Sequence, residues 1–233
     1  MAQKINPTSV RLGISQLWLS NIQFYGKSFK LYFLSFHYYL RSFLFLRKVS
    51  NIMGFIIYHQ QWKITKLGSI VLNLYYGQSF FVLDKNFLEF YKKIQKTFNI
   101  LFLKKIEISF YLLTFSPLSK NLLHSYSQFL GSNNLTSKKI LWNISILLNK
   151  YLNSSKLVYT PKGVKVFKLK GFKIQISGRI DDSKTQMAKS LNLNVGISRL
   201  TSLEDSIVYI TNVVYSKSGI CGLKIWLFYE FTQ

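Results

Sequence analysis

Acidic residues are scarce in this chain: 8 Asp and Glu stand against 31 Lys and Arg in 233 residues, a formal net charge of +23. Even with every acid paired, that excess finds no partner inside the chain. It repels itself and destabilises the compact state, and the remedy is an external polyanion. RNA, DNA and an acidic membrane surface all qualify, and charge alone does not choose among them. Cysteine is nearly absent as well. The single Cys221 excludes a disulfide framework, and His37, His59 and His124 lie too far apart for a zinc ligand set, so no metal is expected. No Ser-His-Asp, Cys-His, phosphate-loop or dinucleotide pattern appears, so no catalytic residue or cofactor is expected and nothing argues for an enzyme.

What is present is apolar: 48% hydrophobic and 17% aromatic residues, enough for one large core or two small ones. Long hydrophobic runs are nonetheless broken. The longest charge-free stretch, Leu67 to Leu83, reaches the lower edge of a membrane-spanning helix, roughly 17 to 20 residues. Asn73, Gly77, Gln78 and Ser79 interrupt it, and Asp84 ends it. Leu72, Leu74 and Tyr76 share one parity with Asn73 on the other, the pattern of a buried strand rather than a span. A basic integral membrane protein stands as one alternative reading, and a free RNA- or DNA-binding protein as another. The bias towards Phe, Tyr, Ile, Leu, Lys, Asn and Ser matches A- and T-rich codons and points to an organellar genome. The chain opens directly on its own polar arm, so no transit peptide is expected.

Periodicity predicts an α+β fold. After an arm over residues 1–23, helical spacing runs from Lys27 to about Ser50. Strands follow at "FIIYHQQWKIT" and "SIVLNLYY". In "NFLEFYKKIQKTF", Phe87, Phe90, Tyr91 and Ile94 oppose Lys92, Lys93 and Lys96 on an amphipathic helix. "KKIEISFYLLTF" gives a third strand, and Ser119 caps a helix that Gly131 ends. This αββαβα order fits a small sheet covered by helices on one face. The second half opens with a helix in "LTSKKILWNISILLNKYL", capped by Thr136 or Ser137. Residues 153–170 form a basic insertion with a turn at Pro161 and Gly163 leading to a short strand. In "GFKIQISGRI", Phe172, Ile174 and Ile176 alternate with Lys173, Gln175 and Ser177. Two long strands joined around Gly219 and Gly222 close an antiparallel sheet.

The two ends of the chain carry specific residues. In "MAQKINPTSVRLGIS", Gln3, Lys4, Asn6, Pro7, Arg11, Leu12, Gly13 and Ile14 resemble the amino terminus of the small-subunit ribosomal protein S-three family. "YYLRSFL" is similar to the family's first helix, with Arg41 in place. "KGFKIQISGRI" resembles its Lys-Gly-Ile-Lys-Val-Glu-Val-Ser-Gly-Arg-Leu strand, and "GICGLKIWLF" its closing strand. The resemblance implies three parts: an arm over 1–23 that binds RNA and protein, an RNA-binding KH domain over 24–132, and a carboxyl-terminal domain over 133–233. The 153–170 insertion is atypical of the family. So is "YYGQSFFVLDKNF", where Phe81, Val82, Leu83 and Asp84 stand in place of the Gly-x-x-Gly loop that clamps phosphate. A degenerate KH-like scaffold without that clamp is therefore expected.

The implied function is a structural role in the head of the mitochondrial small ribosomal subunit, in the matrix. Expected partners are small-subunit rRNA, neighbouring proteins of the S-ten and S-fourteen families, and messenger RNA at the channel through which it enters. A homo-oligomer is not expected. The candidate RNA-binding residues are Lys4, Asn6, Arg11, Arg41, Lys138, Lys139, Arg179, Lys184, Lys189, Lys217 and Lys224. Lys4 and Arg11 would neutralise phosphate from an extended arm fixed by Pro7 and Gly13. Arg179 follows a strand, where its guanidinium would reach phosphate or pair with Asp181 or Asp182. Lys138 and Lys139 lie in a first helical turn, against the helix dipole.

Overall fold

The computed structural model describes residues 5–17, 55–64, 70–78, 87–101, 106–113, 118–133, 135–180, 187–216 and 219–231. The helix expected from Lys27 to Ser50, Arg41 with it, and the Phe81–Asp84 segment lie outside the described residues. Contacts divide the chain into two compact units, one of residues 22–125 and one of residues 1–21 with 126–233.

Over residues 5–17 the arm is not extended. Asn6 Oδ1 accepts from the Thr8 amide at 3.0 Å and caps α1 (Pro7–Arg11), with Pro7 in its first turn. An Asx cap followed by proline presets the first helical φ, so this dipeptide starts a helix rather than an extended path.

In the unit of residues 22–125, β1 (Phe55–Ile64) pairs antiparallel with β2 (Ile70–Gln78), and β2 runs parallel to β3 (Ile106–Leu112). The parallel pair needs a crossover, supplied by α2 (Phe87–Leu101). Its Phe90, Ile94 and Phe98, each 0% exposed, recur every fourth residue and meet Phe55, Ile57, Leu72 and Leu74. Phe90 stacks on Phe55 with ring centroids 4.7 Å apart. Lys92, Lys93 and Lys96 face outward, as the amphipathic pattern predicts. Asn73, expected on the wetter parity of β2, is also buried.

Ser119 Oγ accepts from the Leu122 amide at 3.1 Å and caps α3 (Lys120–Ser132), the helix in which the division between units falls. Gly131 does not end it. A Cβ there would lie 2.9 Å from the Tyr215 carbonyl oxygen and 2.9 Å from Val214 Cγ1, so glycine serves close approach to a strand. Next comes α4 (Ser137–Lys150). Thr136 holds its N-cap position without a side-chain cap bond, and Ser137 Oγ lies buried 3.4 Å from Cys221 Sγ.

A five-stranded antiparallel sheet completes this unit: β4 (Ser155–Thr160), β5 (Gly163–Gly178), β6 (Lys189–Gly196), β7 (Ser206–Ser216) and β8 (Gly219–Phe231). The 153–170 segment is thus a hairpin, and its second strand runs on without a break into "GFKIQISG" rather than stopping short. One edge of β5 pairs with β4 over 163–168 and with β6 over 171–178, while β8 takes the other edge. The change of partner falls at Gly171, opposite Gly196. A Cβ on Gly171 would lie 2.7 Å from the Ile197 nitrogen, and Gly196 has φ +71°, so neither position accepts a side chain without strain. Strand β6 was not anticipated, although Leu191, Leu193 and Val195 alternate with Asn192 and Asn194.

Alternation sorts the faces. Phe172, Ile174 and Ile176 of β5 meet Leu223, Ile225 and Leu227 of β8 on the face that α3 and α4 cover. On the opposite face Leu200 and Tyr209 pack against buried Ile207, Trp226 and Phe228.

Candidate nucleic-acid interface

Basic residues of the larger unit are used in two opposite ways. Arg11, expected at phosphate, is 1% exposed. Its Nε donates to the Asp205 carbonyl at 3.1 Å, Nη1 to the Pro7 carbonyl at 2.9 Å, and Nη2 to the Leu200 carbonyl at 2.9 Å and to the Ser202 carbonyl. The planar five-donor fork of arginine suits such a cluster of carbonyl oxygens, whereas an ammonium does not. Burial lowers the pKa of this guanidinium, and the Asp205 carboxylate partly opposes that shift. Gln16 Nε2 adds a bond to the Ile207 carbonyl at 3.3 Å. The arm is therefore stapled to the segment leading into β7, and its arginine is a structural plug. That corrects the sequence reading of Arg11. Asn6 is likewise occupied, its Oδ1 taken by the Thr8 amide and hydroxyl.

The other group gathers at the start of β8. Buried Cys221 touches Ser137 at the head of α4, and its Sγ donates to the Arg179 carbonyl at 3.7 Å. A Cβ on Gly178 would lie 2.9 Å from the same sulfur, and Gly178 pairs with Lys189. Arg179 and Lys189 thus make a contact or pairing at this one hub themselves, and Lys138 and Lys139 follow Ser137 by one and two residues. The two helix lysines and Lys189 are exposed, and Arg179 is half-buried. No acid occupies the first turn of α4. A helix start attracts anions, and here two lysines stand where carboxylates are normally stabilising. Cys221 and Tyr229, the latter beside the arm's anchorage, are separated by roughly 26 Å of strand.

Between these ends the sheet face opposite the helices carries a polar row, of which sequence reasoning named Lys224 as a site residue and Gln175 only by its alternation. Exposed Lys224 lies between Gln175 and Thr211, and Asn192 flanks Gln175. One row on, Lys173 Nζ stands 5.7 Å from the Trp226 ring centroid, and the Tyr209 ring is 5.3 Å from it. Register was the missing signal: Lys173 alternates with Phe172 and Ile174, but the residues beside it, Asn194 and Trp226, come from strands distant in sequence. Lys4, Lys184 and Lys217 lie outside the described residues, as do Asp181 and Asp182. Among the described residues no group of three His, Cys, Asp or Glu side chains is placed to hold a metal, and no helix is long and apolar enough to cross a membrane.

No protein-family model matches the chain. The chain is 37% identical over 229 residues to the small ribosomal subunit protein uS3m of Chondrus crispus, an alignment spanning 98% of this chain and 94% of that protein. It is 39% identical over 59 residues to the small ribosomal subunit protein uS3c of Emiliania huxleyi, covering 25% of this chain and 26% of that one.

Proposed function

The chain belongs to the small-subunit ribosomal protein S-three family in an organellar form, a structural ribosomal protein and not an enzyme, and from that premise we propose that it braces rRNA in the head of the mitochondrial small subunit, in the matrix. The observation that carries this reading is the convergence of Lys138, Lys139, Arg179 and Lys189 on the Cys221 hub, with Lys224 on the adjoining open face. Three separate segments, α4, the end of β5 and the start of β6, bring these cations to one end of the sheet, with no acid in the first turn of α4. Such a cluster neutralises phosphates of a folded RNA and reads no base sequence.

The domain plan follows the family. The unit of residues 22–125 acts as a KH-like scaffold whose phosphate clamp is replaced by Phe81–Asp84, so its lysine face on α2 contributes charge rather than a clamp. Messenger RNA at the channel where it enters meets Lys138 and Lys139, with Trp142 in place of a third basic residue. The arm presents Ile5 and Ile14, 75% and 63% exposed, for contact with neighbouring head proteins of the S-ten and S-fourteen families. Sedimentation tests the reading first: the chain should migrate with small-subunit rRNA through a sucrose gradient. With about eight phosphates neutralised, log affinity for that RNA should fall with log salt at a slope of about −6. A slope near zero, or migration apart from the particle, overturns it.

A further inference from the structure

The hairpin of β4 and β5 exposes a feature that phosphate binding does not use. Leu157 pairs with Val166 and Tyr159 with Val164, so all four side chains share one face of the hairpin. They are 65%, 40%, 69% and 58% exposed. Four adjacent apolar side chains at this exposure form a patch of the kind that marks an interaction site. Among the described strands β4 pairs with β5 alone, which leaves its outer edge of backbone donors and acceptors as a template for another strand. Residues 153–170 hold Lys156, Lys162, Lys165, Lys168 and Lys170 and no acid.

We infer that β4 receives an extended segment of another protein of the particle, a strand alternating apolar and acidic side chains. Pairing on the edge of β4 sets that alternation. Positions beside Leu157 and Tyr159 continue the apolar face, and positions beside Lys156 on the reverse face meet positive charge. A second copy of this chain is a poor occupant, since its own charge of +23 opposes close approach. RNA matches the lysines but offers nothing to Leu157, Val164 and Val166. This inference rests on residence in the ribosomal particle and adds the surface and the chemistry of its partner.

The test uses isolated small subunits treated with a carbodiimide, which joins lysine amines directly to carboxylates, with the products mapped by mass spectrometry. Expected are links from Lys156 or Lys165 on the reverse face, or from Lys162 in the turn, to Asp or Glu of one other protein. Particles assembled with the Leu157→Glu, Tyr159→Glu double variant, whose changes fall on exposed positions, should lose that link by about tenfold or more. Hydrogen exchange at Ser155–Thr160 should also be slower in the particle than in the free chain. Links from these lysines to RNA alone under ultraviolet light, or unprotected β4 amides with no protein link, overturn the inference and leave the proposed function standing. Absence of the chain from the particle overturns both.

Discussion

The two ends of β8 use positive charge in opposite senses. At one end Arg11 sits inside the protein with its donors on four carbonyl oxygens of the chain itself. At the other, Lys138, Lys139 and Lys189 stand in solvent around a buried cysteine. A basic residue in a family-specific motif does not thereby touch RNA. Side-chain geometry decides: the arginine fork satisfies several backbone carbonyls at once, while Lys138 and Lys139 at the helix start are exposed.

The contrast is most easily broken at Arg11. Arg11→Ala should destabilise the larger unit by ~4 kcal/mol, because charge-assisted hydrogen bonds worth ~1.5–3 kcal/mol each disappear and buried carbonyls lose their donors. Arg11→Lys should recover less than half of that loss. Urea unfolding at high salt, where self-repulsion is screened, reads both values. A variant as stable as the parent that binds rRNA more weakly would place Arg11 with the outward group.

Titration sharpens the same end. Burial pushes the Tyr229 phenol up to about 12 from an ordinary value of 10.0, with the Lys156 ammonium 5.7 Å from its ring centroid. The unfolded phenol loses its proton first. Stability should therefore hold below pH 10 and fall as pH rises towards 12, by ~3 kcal/mol in total from this group. The difference between the parent and Tyr229→Phe isolates the effect of this group, and equal slopes would refute it.

Gly171→Ala changes no charge. It should cost ~2 kcal/mol through the clash with Ile197, seen as a lower thermal midpoint, and leave the salt slope of rRNA binding untouched. The smallest stability effect belongs to Lys138→Gln with Lys139→Gln. Unfolding should shift by less than ~0.5 kcal/mol, while the salt slope should shrink by about 1.4 through two lost phosphate contacts. An unchanged slope would take the helix start out of the interface.

Where side chains contact near neighbours in sequence, the fold was legible. Phe90, Tyr91 and Ile94 opposite Lys92, Lys93 and Lys96 announced α2, and the alternation of Phe172, Ile174 and Ile176 announced β5. The fate of Arg11 was not legible, because three of its acceptors lie 189 to 194 residues away. Gly171 looked like a boundary and is a bulge within one long strand, since glycine marks both. The alternation in Leu191–Asn192–Leu193–Asn194–Val195 did announce β6 and went unread between two family motifs. Of the residues expected at RNA, Lys138, Lys139, Arg179, Lys189 and Lys224 fall on α4 and on or beside strands β5, β6 and β8. Their convergence on Cys221 depends on β5, β6 and β8 pairing in register, which no local pattern states.

Ultraviolet cross-linking of the chain to rRNA inside intact small subunits, mapped residue by residue, tests the outward and inward roles together. Adducts are expected at Lys138, Lys139 or Lys189 and none at Arg11. Adducts on the arm's arginine, with the Cys221 end unmodified, would contradict the assignment of the RNA-facing surface.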